Sequence, residues 1–308
     1  MKRKSKAGSL SAKSRADRLL RQTFPGLSGR QIEEALDQLL VVDLKGKRIK
    51  KGDYIEGSEQ LDSRKLQAHL AKLALGNPDL NVSIVDERSD YLVVDKPSGM
   101  ASHPISLFDF GTVTQWALAH YPTIREQFSE VQPTVTPHRL DTGTSGLLIV
   151  ARTQEAFHWW RQCFQKKQVK KKYLAWCWGS PNQTSYRVDW PIGHDPRDHR
   201  KMVSVTNPAV LYARPLLEAH TSVTVLKQNP GWFLVEVSCE TGVTHQVRVH
   251  LASLGFPLVG DTLYDPSAAG RLEQASCHLL RACSIIAPGR NFQVDTTAFE
   301  VGPLFKNL

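Results

Sequence analysis

No apolar run in this sequence approaches the roughly 18–20 residues that a membrane-spanning helix needs, so no membrane association is expected. Cysteine is sparse, and the five present (Cys163, Cys177, Cys239, Cys277, Cys283) form no C-x-x-C pair. An odd number of scattered thiols in a long chain points to the reducing cytosol and to packed side chains rather than disulfides. The eleven histidines include no H-E-x-x-H pattern, and carboxylates that could hold catalytic metal ions are not clustered. A metal-dependent nuclease is therefore disfavoured, and no metal is expected. There is no G-x-G-x-x-G and no alternation of strands with helices, which argues against a dinucleotide-binding fold. The N-terminus, MKRKSKAGSLSAKSR, lacks the apolar segment of a secretory signal. A transit peptide is the weaker alternative, and a cytoplasmic location is expected.

What the chain does have is positive charge. Its 308 residues carry a formal net charge of +9, with 41% hydrophobic residues available for a core. Basic residues cluster at Lys2–Lys6, Lys45–Lys51 (KGKRIKK) and Lys166–Lys172 (KKQVKKK). Clustering, more than net charge, points to a polyanionic partner.

Composition and breaks divide the chain into four parts. Residues 1–14 read as a flexible basic arm. Residues 15–62 form a small α/β pattern. Ser28 and Gln31 make a capping-box signature ahead of Ile32, Ala35, Leu36 and Leu39 at helical spacing. Val41-Val42 and Arg48–Ile55 read as short strands around a Lys45-Gly46 turn. Residues 63–81 hold an amphipathic connecting helix, with Leu66, Leu70 and Leu73 on one face, broken at Gly76-Asn77-Pro78. Residues 82–308 form the large domain, and its last stretch reads as edge strands.

Two dense polar constellations stand out in that domain. In HRLDTGTSGLLIVAR (His138–Arg152), Asp141 sits in a Gly/Thr-rich turn directly before an unbroken apolar run. Such a run reads as a strand buried on both faces, a rigid brace for a reactive carboxylate. By itself an Asp beside Gly is most often an ordinary surface turn residue. In ETGVTHQVRVHL (Glu240–Leu251), Thr244 is placed to cap a short helix with Val247, Leu251 and Leu254 inward, stopped by Gly255. Arg248 among apolar neighbours requires a partner, because an unpaired buried guanidinium is costly, and Asp141 is the natural one.

Together, HRLDTGTSGLLIVA, the VVDKPSGMASHP loop, KKKYLA and TGVTHQVRVHLASLGFPLVGDTLY resemble the ordered motifs of RluA-type pseudouridine synthases. The segment in front resembles the RNA-binding module named after ribosomal protein S-four, although the Gly that module carries after its second helix is missing and its Asn-Gly turn is not intact. The resemblance implies an α+β fold with a mixed, largely antiparallel sheet and a small N-terminal RNA-binding domain. It implies isomerisation of uridine to pseudouridine in RNA, by a monomer, with no cofactor. Ribosomal RNA is favoured over transfer RNA, and a non-catalytic RNA-binding or ribosome-assembly factor is the alternative. By the same resemblance Asp141 is the nucleophile, Tyr173 the pocket tyrosine and Arg248 the partner of Asp141. Contacts to RNA are expected from Lys47, Arg48, Lys96, His138, Arg139, Lys171, Lys172, His245 and Gln246. Val243 stands where the family usually has a basic residue.

Overall fold

The computed structural model describes residues 13–128, 130, 132–206, 215–265 and 277–301. Most of the expected basic arm lies outside these residues. The chain divides into two compact units, one drawn from Met1–Asp79, Pro104–Gly111 and Gln115–Pro133, the other from Leu80–His103, Thr112–Thr114 and Thr134–Leu308.

In the first unit the capping box forms as its sequence demands. The Ser28 hydroxyl accepts from the Gln31 N–H, and the Gln31 side chain accepts from the Ser28 N–H at 2.8 Å. Helix Gly29–Asp37 buries Ile32, Ala35 and Leu36. The expected strand pair around Lys45-Gly46 is different in detail. Val42–Asp43 pairs with Leu61–Asp62, and Tyr54–Ile55 pairs with Ser14–Arg15. Asp43 explains the interruption, because its carboxylate accepts from the backbone N–H groups of Lys45 and Lys47 and closes a side-chain-capped turn.

Helix Arg64–Leu75 is not a free connector. Leu66 and Leu73 are fully buried in one apolar cluster with Leu20, Ile32, Leu36 and Leu107. The segment around Leu107 thus joins this unit, and the division of the chain departs from a single cut at residues 63–81.

The second unit is α+β around a nine-stranded mixed sheet. Its strands lie in the order Ser83–Glu87, Tyr91–Lys96, Ser145–Ala151, Leu280–Ala287, Lys170–Trp178, Trp232–Cys239, Thr221–Asn229 and Ser185–Val188. Arg290–Gln293 pairs with Leu280–Ala287 off that path. All pairings are antiparallel except that of Leu280–Ala287 with Ser145–Ala151. Leu147 to Ala151 are completely buried, as an apolar run without alternation requires. The expectation of edge strands at the C-terminal end is corrected here, since Leu280–Ala287 lies in the middle of the sheet. A strand returning in parallel from far along the chain leaves no local turn signal.

Gly146 marks that parallel contact. Its φ is +109°, and a Cβ there would collide with the backbone of Ala282. Gly146→Ala is expected to destabilise the chain by about 3 kcal/mol or more, from backbone strain and overpacking together. A denaturation midpoint equal to that of the wild type would contradict the close approach.

Candidate active site

The loop carrying Asp141 is held almost residue by residue by the loop that follows strand Tyr91–Lys96. Ser102 Oγ donates to the Leu140 carbonyl and accepts from the Leu140 N–H, both at 3.0 Å. Gly99 N–H donates to the Thr142 carbonyl at 2.9 Å, and Ser98 Oγ donates to the Gly143 carbonyl at 2.6 Å. Thr144 Oγ1 meets His278 Nε2 at 2.8 Å. Two shaped loops, neither of them regular structure, therefore brace one another around a single carboxylate.

Lys96 completes the brace. It is fully buried, and its ammonium donates to the carbonyls of Pro97, Met100 and Thr142 at 3.0, 2.6 and 3.2 Å. Burial pushes its pKa down to about 8, against the opposing pull of Asp141. Its charge is thus directed at the protein's own backbone and not at a phosphate, contrary to the expected RNA contact.

Asp141 opens into a cavity of about 340 Å³. Arg248 Nη1 donates to Asp141 Oδ2 at 3.1 Å, which is the pairing expected from the cost of an isolated guanidinium. The same guanidinium is clamped from behind. Nε and Nη2 donate to Asp261 Oδ2 and Oδ1 at 2.7 and 2.9 Å. Arg248 is 7% exposed and Asp261 1%. Burial works against the charge of Arg248, but hydrogen bonds and charge from Asp261, then Asp141, outweigh it and raise its pKa. Burial likewise opposes ionisation of Asp261, and Arg248 overturns it, holding that carboxyl below its ordinary range. Asp261 was not among the expected site residues. Its one signal in the sequence is an acid directly after Gly260 in an otherwise apolar loop, and no local pattern ties it to Arg248.

Tyr173 lines the same cavity from strand Lys170–Trp178, with only 8% of its surface exposed. Burial drives its hydroxyl pKa well above the ordinary value, so the phenol stays protonated. Lys171 also lines the cavity, donating to the Thr241 carbonyl at 3.2 Å, with its pKa lowered by burial. Arg139 stands exposed at the rim. Lys172 is partly exposed and paired with Glu236 at 2.9 Å. Lys47 and Arg48 belong to the first unit, where both are exposed and Arg48 pairs with Asp37 at 2.8 Å.

Two further expectations change. Gln246 is buried, and its amide is fully engaged. Its oxygen accepts from Thr241 Oγ1 and the Val243 N–H, and its nitrogen donates to the His220 carbonyl and to Thr221 Oγ1. It therefore shapes the loop and has nothing left for RNA. Thr244 does not cap the helix Gln246–Ser253; the N-cap is His245, in the left-handed region at φ 58°. The Gln246 side chain bonding back into residues 241–243 turns the chain one residue later than Thr-capping would.

His138 presents no charge to the cavity. Its Nε2 accepts from the Ile149 N–H at 3.0 Å, and its ring lies against Phe164, centroids 4.6 Å apart. Burial, then the charge of Lys171, pushes its pKa down to about 3. Burial, then Arg248, takes His278 down to about 4. Both rings are neutral in the folded chain, while unfolding restores a pKa near 6.5. The unfolded state therefore binds the extra protons first, so this stability is whole above pH 6.5 and falls as the pH drops towards 4. Each histidine contributes a loss of up to about 1.4 kcal/mol per pH unit in that window. The melting temperature is expected to fall steadily between pH 6.5 and 4.5, and a flat profile would mean that neither ring is held neutral in the folded chain.

The family model for RNA pseudouridylate synthase matches residues 90–253, more than half of the chain. An uncharacterized RNA pseudouridine synthase of Chloroflexus aurantiacus is 40% identical over 172 residues, covering 56% of this chain and 51% of its own length. The ribosomal large subunit pseudouridine synthase D of Nitrosomonas europaea is 37% identical over 205 residues, covering 64% of this chain and 56% of its own. This chain thus spans about half the length of these two curated relatives. Among solved structures, human RNA pseudouridylate synthase domain containing 1 aligns with a TM-score of 0.56 and 26% identity, over 70% of this chain and 84% of that one. The fold and the family match agree, and the chain belongs to the RNA pseudouridylate synthase family.

Proposed function

We propose that the chain converts uridine to pseudouridine in RNA, with ribosomal RNA as its substrate, acting as a cytoplasmic monomer without cofactor or metal. The observation that carries this reading is Asp141, a carboxylate lining a cavity of about 340 Å³ and aimed by an arginine that is itself fixed from behind. The name of the Nitrosomonas relative supports ribosomal RNA over transfer RNA.

In this reading Asp141 attacks the sugar or assists departure of uracil from it. The bond between nitrogen-1 and the sugar breaks, the base turns, and the sugar carbon bonds to carbon-5, releasing Asp141 if it is attached. Carbon-5 then loses its proton, and nitrogen-1 takes one up. Arg248 sets the angle of Asp141. Tyr173 gives the detached base a flat, dry wall, so that it recombines in place. A paired uridine cannot reach the cavity, so the target is single-stranded or flipped out. The test is single-turnover incubation with ribosomal and transfer RNA transcripts, followed by pseudouridine mapping. Product in transfer RNA alone would reverse the choice of substrate, and none in either would remove the reading.

The S-four-like segment, residues 15–62, is proposed as a phosphate-binding module acting through Lys45, Lys47 and Lys50, all exposed. Deleting it would strip the cluster that also holds Leu66, Leu73 and Leu107, so charge removal is the cleaner experiment. Replacing the three lysines with Gln is expected to weaken binding and flatten the slope of log K against log salt by about two, at 0.7–0.9 per contact. The saturated rate should stay the same. An unchanged slope would show that this face does not meet RNA.

A further inference from the structure

The two oxygens of Asp141 are treated differently by their surroundings. Arg248 Nη1 donates to Oδ2 at 3.1 Å, and His245 Nε2 stands 3.9 Å from that same oxygen. Oδ1 has no hydrogen-bond partner among the described residues. His245 is brought there by its left-handed backbone, a conformation uncommon outside glycine and found at constrained functional positions.

The other ring nitrogen is fixed by Tyr264. Its phenol oxygen accepts from the Met202 N–H at 2.9 Å and lies 2.8 Å from His245 Nδ1. With the backbone donor on one lone pair, the phenol proton is free to point at Nδ1. The imidazole then carries its own proton on Nε2, facing the carboxylate. The opposite tautomer would set a nitrogen lone pair against a negative oxygen. Burial keeps the ring neutral by lowering its pKa, with Asp141 opposing that effect.

We propose that His245 is a positioning residue for Asp141: Tyr264 fixes it as the Nε2–H tautomer, and this N–H joins Arg248 in holding Oδ2, so that Oδ1 is presented to the nucleotide. The inference rests on the reading of Asp141 as the reactive group. The 3.9 Å separation exceeds a hydrogen bond, and the carboxylate closes it when the nucleotide expels water from the cavity. Asp141 is then held by two donors of different kinds, one charged and clamped, one neutral and hinged on a phenol.

The tautomer is measured first, by nitrogen NMR of the wild-type chain labelled at histidine. A proton on Nε2 is expected, and a proton on Nδ1 overturns the proposal whatever the variants do. Single-turnover rates at saturating RNA come second. His245→Asn tolerates the left-handed backbone and removes the donor that faces Asp141. Its rate is expected to fall on the order of tenfold, as for loss of a hydrogen bond to a charged group, with RNA affinity unchanged. His245→Gln places an amide N–H where Nε2–H was and is expected to recover most of the rate. An Asn variant as fast as the wild type, a loss confined to RNA affinity, or a folded Gln variant no faster than Asn each overturns the proposal. A wild-type chain that makes no pseudouridine in any RNA overturns the functional reading first, and is distinguished by failing before any variant is compared.

Discussion

Asp141→Asn is expected to stop pseudouridine formation while leaving the fold and RNA affinity nearly as they are. Asn keeps an oxygen for the Arg248 hydrogen bond, and the loop is held through its backbone, through Ser98, Gly99 and Ser102, not through the Asp141 side chain. What is lost is the negative oxygen that meets the sugar in the proposed reaction. A drop on the order of a thousandfold or more in the single-turnover rate is expected, about 4 kcal/mol of barrier. Residual turnover within about tenfold of the wild type, roughly 1.4 kcal/mol, would falsify the assignment of Asp141 as the reactive group. The melting temperature of the same sample separates loss of chemistry from loss of structure.

The parts of this site legible in the sequence are those whose physics is local. An apolar run without alternation, Leu147 to Ala151, announces a strand buried on both faces, and the loop leading into that strand carries Asp141. Alternation in Val223, Val225, Phe233, Val235 and Val237 announces the hairpin Thr221–Asn229 with Trp232–Cys239. The need of Arg248 for a partner follows from the cost of a lone buried charge, and Asp141 is there at 3.1 Å. What stayed hidden was set by distant contacts. Lys96 and Gln246 look like surface polar groups until the loops they cross are folded around them. A lysine satisfied by three carbonyls and a lysine facing phosphate have the same sequence. The central position of Leu280–Ala287 was equally unreadable, because its neighbour Ser145–Ala151 lies far back along the chain and pairs with it in parallel. The basic rim is intermediate, with Arg139 open as its charge suggests and Lys172 already paired with Glu236.

The second large effect is expected at Asp261, which touches no substrate in the proposed reaction. Arg248 uses three of its five N–H groups, two on Asp261 and one on Asp141. Asp261 is the deeper of the two acids, and it also accepts from the backbone N–H groups of Leu263 and Tyr264. Removing it with Asp261→Ala leaves a buried guanidinium with only a partly exposed carboxylate for company. Breaking a buried pair in this way costs about 3–5 kcal/mol, to be read as a shift in denaturant midpoint at constant slope. Asp261→Asn retains an acceptor and is expected to lose less stability. It still frees Arg248 to swing, so its single-turnover rate should fall even where it is fully folded. Arg248→Lys is the complementary change. An ammonium has no planar fork and reaches one carboxylate or the other, not both in the same geometry. If Asp261→Asn is folded and as fast as the wild type, Arg248 needs no clamp and Asp141 is aimed by other groups. If it is slow at every RNA concentration with unchanged affinity, the reaction depends on an acid that never meets the uridine.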